Sequence, residues 1–194
     1  MLTSEWILAS TSQRRIDLLK SIGLVFEVIP ADIEELRLPL LNDTVDKVAV
    51  INARRKVQYV ASKYSDAYVI GADTIVTLDE KVFNKPKDIE EAYEMLSRLS
   101  GRTHEVITAV CVMQKSENFI CEFAEVSRVH FQPLTHSFIE EYTQEVAVLD
   151  KAGAYAIQDP KTQTFASFDP ESYPNIMGFP IKSFQKHLEC ILLK

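Results

Sequence analysis

Apolar positions along the chain alternate between short strand-like runs and stripes at helical spacing. Trp6-Ile7-Leu8-Ala9 reads as a first strand, and the hydroxyl-rich Ser10-Thr11-Ser12 breaks it. Ile16, Leu18, Leu19 and Ile22 then predict a helix from Gln13 to Ile22, with Ser12 as N-cap and Gly23 as stop. Phe26 to Ile29 is a second short strand ending at Pro30. From Ala31 to Asp43 there is no period; the stretch is acidic early (Asp32, Glu34, Glu35), contains Pro39, and reads as a long functional or mobile loop. Val45 to Tyr64 predicts a long helix, with Val45, Val48, Ala49, Val57, Val60 and Ala61 near one stripe. Arg54, Arg55 and Lys56 interrupt it and fan around the helix, so at least one leans toward the core side.

A buried strand follows, centred on Val69-Ile70-Gly71-Ala72-Asp73-Thr74-Ile75-Val76 and running to Leu78. Asp79-Glu80-Lys81 is its turn and Val82-Phe83 the return. Asp88 and Glu91 form a capping-box pattern for a helix from Ile89 to Leu99, which Ser100-Gly101 stops. Thr103 to Gln114 and Phe119 to Phe131 read as two long strands, and Ser137 to Glu145 as a helix. Short strands are expected near Ala154 to Ile157 and Thr164 to Phe168, then a loop from Ser172 to Pro180 and an amphipathic helix from Ile181 to Leu192. The chain shows neither internal repeats nor an obvious linker.

The chemistry begins with Asp73. A carboxylate within an apolar strand needs a cation, a metal or several donors to offset its desolvation. Gly71 leaves room for a backbone or ligand to approach. Arg14 and Arg15 occupy the first turn of their helix, where the dipole prefers anions; beside free N–H groups they form an anion cradle, unless they are simply solvated. Glu34 or Glu35 offers a second carboxylate for a metal, against the plainer reading of solvated loop charges. Two carboxylates with several cations suit phosphoryl chemistry on a hard divalent ion. Neither a phosphate-loop motif nor Gly-x-Gly-x-x-Gly is present, and His104, His130, His136 and His187 are scattered, which argues against a zinc site or a histidine triad.

Composition narrows the partners. A net charge of −7 argues against coating nucleic acid. Cys111, Cys121 and Cys190 have no metal-type spacing and read as reduced, small apolar side chains. The N-terminus lacks a signal-type core, and no apolar run approaches the ~20 residues a membrane helix needs. The expectation is a soluble cytoplasmic protein.

Several blocks then resemble the Maf family of nucleoside triphosphate pyrophosphatases. They are Leu8-Ala9-Ser10-Thr11-Ser12-Gln13-Arg14-Arg15, Gly71-Ala72-Asp73-Thr74, Lys85-Pro86, Leu99-Ser100-Gly101-Arg102-Thr103-His104, Lys151 to Gln158 and Tyr173 to Pro180. The resemblance implies a single Maf-like domain over residues 1–194, with a mixed α/β fold, a curved central sheet, flanking helices and two lobes around a cleft. It implies hydrolysis between the α- and β-phosphates of a nucleotide, a divalent metal (Mg²⁺ or Mn²⁺) and a homodimer, with a nucleotide-binding regulator of septum formation as the rival. Asp73, Lys56, Lys85 and Glu35 match catalytic positions, with Glu35 and Asp73 as metal ligands. Ser10, Arg14, Arg15, Thr74 and Gln158 match substrate-binding positions, and the Arg14, Thr74 and Gln158 set matches the branch preferring dTTP and UTP. Three positions depart from the pattern: Gln13 for Pro, Asp159 for Gly, and Phe179 for Leu.

Overall fold

The computed structural model describes residues 5–37 and 44–192. Most of the acidic loop's second half (residues 38–43, with Pro39), both termini and the side chains of Val45, Cys190, Ile191 and Leu192 lie outside the described residues. In chain order the elements are β1 (Trp6–Leu8), α1 (Gln13–Ser21), β2 (Glu27–Val28), α2 (Val45–Ala61), β3 (Tyr68–Leu78), β4 (Lys81–Phe83), α3 (Ile89–Leu99), β5 (Thr103–Gln114), β6 (Phe119–Phe131), α4 (His136–Glu145), α5 (Pro160–Phe165), β7 (Ala166–Phe168), α6 (Tyr173–Met177) and α7 (Ile181–Leu192).

The strands form a mixed sheet in the order β2-β1-β3-β5-β6-β7, with β4 paired to β3. β1 runs parallel to β2 and β3, and β4 and β7 lie antiparallel to β3 and β6. The chain divides into two compact units. The first comprises Met1–Asp73, Thr108–Glu125 and Gly178–Lys194; the second comprises Thr74–Ile107 and Val126–Met177. The first packs Leu8, Leu19, Ile70, Ala72, Val110 and Phe184 into one core, and the second packs Val76, Leu96, Leu99, Phe131, Tyr142 and Phe165 into another. Among the described residues, no helix is long and apolar enough to cross a membrane.

Local chemistry explains the boundaries. Asp88 Oδ1 accepts from the Glu91 amide at 2.8 Å, and Glu91 reaches back to the Lys87 amide at 2.7 Å, which fixes the start of α3. Asp79 and Glu80, at φ 51° and 62°, make a two-residue hairpin, so β4 begins at Lys81 rather than Val82. Ser12 stands at the N-cap of α1 without a side-chain cap; Ser10 Oγ accepts its amide instead, at 3.2 Å.

Three expectations are corrected. Residues 154–157 form no strand: Ala152–Ala154 is a tight turn, with Gly153 at φ 70° and Ala154 at φ 61°, and two left-handed residues cannot sit in a ladder. Residues 164–165 end a helix, and only Ala166–Phe168 is strand. The Ser172–Pro180 stretch holds the short helix α6, led in by a turn at Pro170–Ser172. The last two corrections share a cause. Asp159 caps the Lys161 amide at 2.8 Å and Asp169 the Glu171 amide at 3.0 Å, each followed by a proline at the first helical position.

Candidate active site

Helix α2 lies hard against β3, and Gly71 is the reason. A Cβ there would fall 2.6 Å from Val57 Cγ2 and 2.9 Å from the Ala53 carbonyl oxygen. Only glycine allows this approach. The buried stripe of α2 runs Val48, Ala49, Asn52, Ala53, Lys56, Val57, Val60, Ala61. Two of its members are polar, one helical turn apart, and both meet Asp73.

Lys56 is the cation that leans inward. Its Nζ lies 2.7 Å from Asp73 Oδ1 and 2.6 Å from Glu35 Oε1. Lys56 and Asp73 are buried, while Glu35 keeps 40% of its side chain exposed. One ammonium thus gathers two carboxylates from segments far apart in sequence. Asn52 Nδ2 donates to the other Asp73 oxygen at 3.1 Å. Of the two loop acids, Glu35 places its carboxylate on Lys56, and the Glu34 backbone carbonyl accepts from Arg55 Nη1 at 2.9 Å.

Arg15 completes the group from α1. Its Nε donates to the Gly178 carbonyl at 2.9 Å and its Nη1 to Ser10 Oγ at 3.3 Å. Burial lowers its pKa from the ordinary arginine value; the field of Asp73 raises it, neighbouring Arg14 lowers it and Glu35 raises it. No acidic residue occupies the first turn of α1, where Gln13, Arg14 and Arg15 stand.

Ser10, Arg14, Arg15, Glu35, Lys56 and Asp73 therefore all belong to the first unit. Thr74, Lys85 and Gln158 belong to the second. There, Gly153 links their segments: its amide donates to the Asn84 carbonyl, beside Lys85, at 3.3 Å, and it packs on Val76, two residues beyond Thr74. Lys85 and Gln158 are exposed and Thr74 is half-buried. Asn52, and the Leu36 backbone it holds, are the site features that the sequence reading passed over. Their signal was present, since Asn52 falls on the apolar stripe four residues before Lys56.

The first unit thus gathers two carboxylates, an amide and two cations, Lys56 and Arg15. The family model described as Maf-like protein matches residues 5–191, and the chain belongs to the Maf family. A relative from Carboxydothermus hydrogenoformans, named dTTP/UTP pyrophosphatase, is 41% identical over 181 residues, covering 93% of this chain and 95% of its own. A second of the same name, from Ruminiclostridium cellulolyticum, is 39% identical over 183 residues, covering 94% of each chain. Among solved structures, a HAM1 protein from Coxiella burnetii aligns over 95% of this chain and 98% of its own, at 16% identity and a TM-score of 0.49.

Proposed function

We propose that this chain is a nucleoside triphosphate pyrophosphatase that hydrolyses dTTP and UTP to the monophosphate and pyrophosphate. The observation that carries the reading is the buried Lys56 ammonium held by Asp73 at 2.7 Å and Glu35 at 2.6 Å. The names of the Maf relatives supply the substrates.

In this reading water attacks the α-phosphorus, its bond to the oxygen bridging to the β-phosphate breaks, and pyrophosphate leaves. Asp73 orients the water and takes its proton. Arg14, Arg15, Lys56 and Lys85 offset charge on the phosphate chain and the leaving group, with Ser10 as a further contact. Thr74 and Gln158 are assigned to the base. Glu35 and Asp73 also suit a divalent cation: both are hard oxygen donors, held side by side by Lys56, and among the described residues no third His, Cys, Asp or Glu joins them. Mg²⁺ and Mn²⁺ accept such a sparse set because water and phosphate oxygens complete their shell. Bound there, the cation polarises the phosphate oxygens. The same family resemblance leads to the expectation of a cytoplasmic homodimer.

A panel of nucleoside triphosphates assayed for pyrophosphate release with Mg²⁺ tests this function. dTTP and UTP should lead, EDTA should abolish turnover, and Mg²⁺ or Mn²⁺ should restore it. Asp73→Asn keeps the shape and removes the base, so kcat should fall at least ~10²-fold. A folded Asp73→Asn protein with near wild-type turnover would overturn the assignment.

A further inference from the structure

Asn52 is almost fully buried, at 1% exposure, on a helix stripe otherwise built of Val and Ala apart from Lys56. Its side chain makes three bonds. Oδ1 accepts the Leu36 amide at 2.8 Å, and Nδ2 donates to the Leu36 carbonyl at 3.0 Å and to Asp73 Oδ2 at 3.1 Å. The amide's orientation follows from its partners. The Leu36 N–H needs an acceptor, so Oδ1 faces it, and the two N–H groups are left for the two oxygens. Donors and acceptor are all matched, as a buried amide requires.

The consequence reaches both carboxylates. Leu36 is held through its N–H and its C=O together, as in a strand ladder, and Glu35 is the residue before it. Arg55 secures the residue before that by bonding the Glu34 carbonyl at 2.9 Å. The backbone carrying Glu35 is therefore pinned to α2 on both sides, and its carboxylate is delivered to Lys56. The third bond of Asn52 fixes Asp73. With Lys56 on Oδ1 and Asn52 on Oδ2, from positions one turn apart on the same helix, the carboxylate plane cannot rotate without breaking one of them. A Leu or Ala at position 52 would fill the stripe and do neither.

We propose that Asn52 is a positioning residue that sets the relative placement of Asp73 and Glu35. The proposal rests on the pyrophosphatase reading for its kinetic arm and stands on geometry alone for its structural arm. Asn52 touches the two acidic segments, so its loss should act on the chemical step more than on substrate binding.

The test compares Asn52→Leu, which keeps the branched heavy-atom shape, and Asn52→Ala with the wild-type chain. Hydrogen exchange at the Leu36 amide should accelerate about tenfold or more, since its acceptor is gone. With UTP and Mg²⁺, kcat should fall about tenfold or more while KM stays within about threefold. Unchanged Leu36 exchange in a folded variant overturns the proposal. So does a lowered Tm with unchanged kcat, which is the signature of a packing role alone, and so does a loss confined to KM. If the wild-type chain hydrolyses neither UTP nor dTTP, the pyrophosphatase reading has failed; Leu36 exchange still decides whether Asn52 holds the loop.

Discussion

At the scale of the residue, the buried polar side chains Asn52 and Lys56 are matched by partners, whereas His104 is held neutral. His104 is 1% exposed, its Nε2 lies 2.9 Å from the Tyr155 hydroxyl, and the rings of Phe131 and Tyr155 pack edge-on against it. Its Nδ1 is buried without a hydrogen-bond partner among the described residues. An imidazolium needs two acceptors, so burial first, and the field of His130 second, push its pKa from 6.5 down to about 3. The sign of the pH effect follows. The unfolded chain binds a proton at His104 below pH 6.5 and the folded chain does not, so stability is intact above 6.5 and falls as pH drops toward 3. By about pH 4.5 the loss should reach roughly 2–3 kcal/mol. Urea unfolding of wild type and His104→Phe across that range checks it: the wild type should lose stability more steeply, and parallel curves would dismiss His104 as the source.

At the scale of the element, the distance between α2 and β3 governs the site. Gly71→Ala would press its Cβ on the Val57 side chain and on the Ala53 carbonyl, and a helix backbone cannot yield as a side chain can. The helix must move, carrying Asn52 and Lys56 away from Asp73. We expect a stability loss of about 1–3 kcal/mol from overpacking. A displacement of about 1 Å would also lower kcat by roughly 10²-fold. Val57→Ala added to Gly71→Ala should return only the side-chain share, as melting and turnover together would reveal; full recovery of both would mean that the Ala53 contact is harmless. This element also shows how far the sequence could be read. The period of α2, the capping box of α3 and the apolar run of β5 are local signals, and local signals placed these elements within a few residues. The inward lean of a cation within Arg54-Arg55-Lys56 was legible too, because three adjacent helical positions cannot all face solvent. What escaped depends on partners remote in sequence: which loop acid meets Lys56, and why an asparagine belongs on an apolar stripe. The Asp-Pro caps of α5 and of the turn before α6 were local and still passed over.

At the scale of the whole molecule, the candidate groups divide between the units. The acidic pair, Lys56 and the arginines belong to the first, and Thr74, Lys85 and Gln158 to the second. Gln158 offers the sharper test. Its neighbours are fixed without it: Asp159 donates its amide to the Ala156 carbonyl at 2.9 Å and caps α5 through its side chain, while Gly153–Ile157 are buried. Asp159 braces the chain before Pro160, and Gln158 is exposed. Thymine and uracil present an N3–H beside a carbonyl, which a glutamine amide, with one acceptor and one donor, can match together. Guanine presents two neighbouring donors, N1–H and the 2-amino group, which suit a carboxylate. Gln158→Glu should therefore weaken the preference for UTP over 7-methyl-GTP by about tenfold or more, the size of one mismatched buried polar pair. Stability should change by no more than about 0.5 kcal/mol, as befits an exposed side chain. Asp73→Asn should instead lower kcat/KM for both nucleotides by a common factor. Measuring kcat/KM for the pair in wild type and both variants decides it: a Gln158→Glu enzyme slowed equally on both nucleotides would remove Gln158 from base recognition.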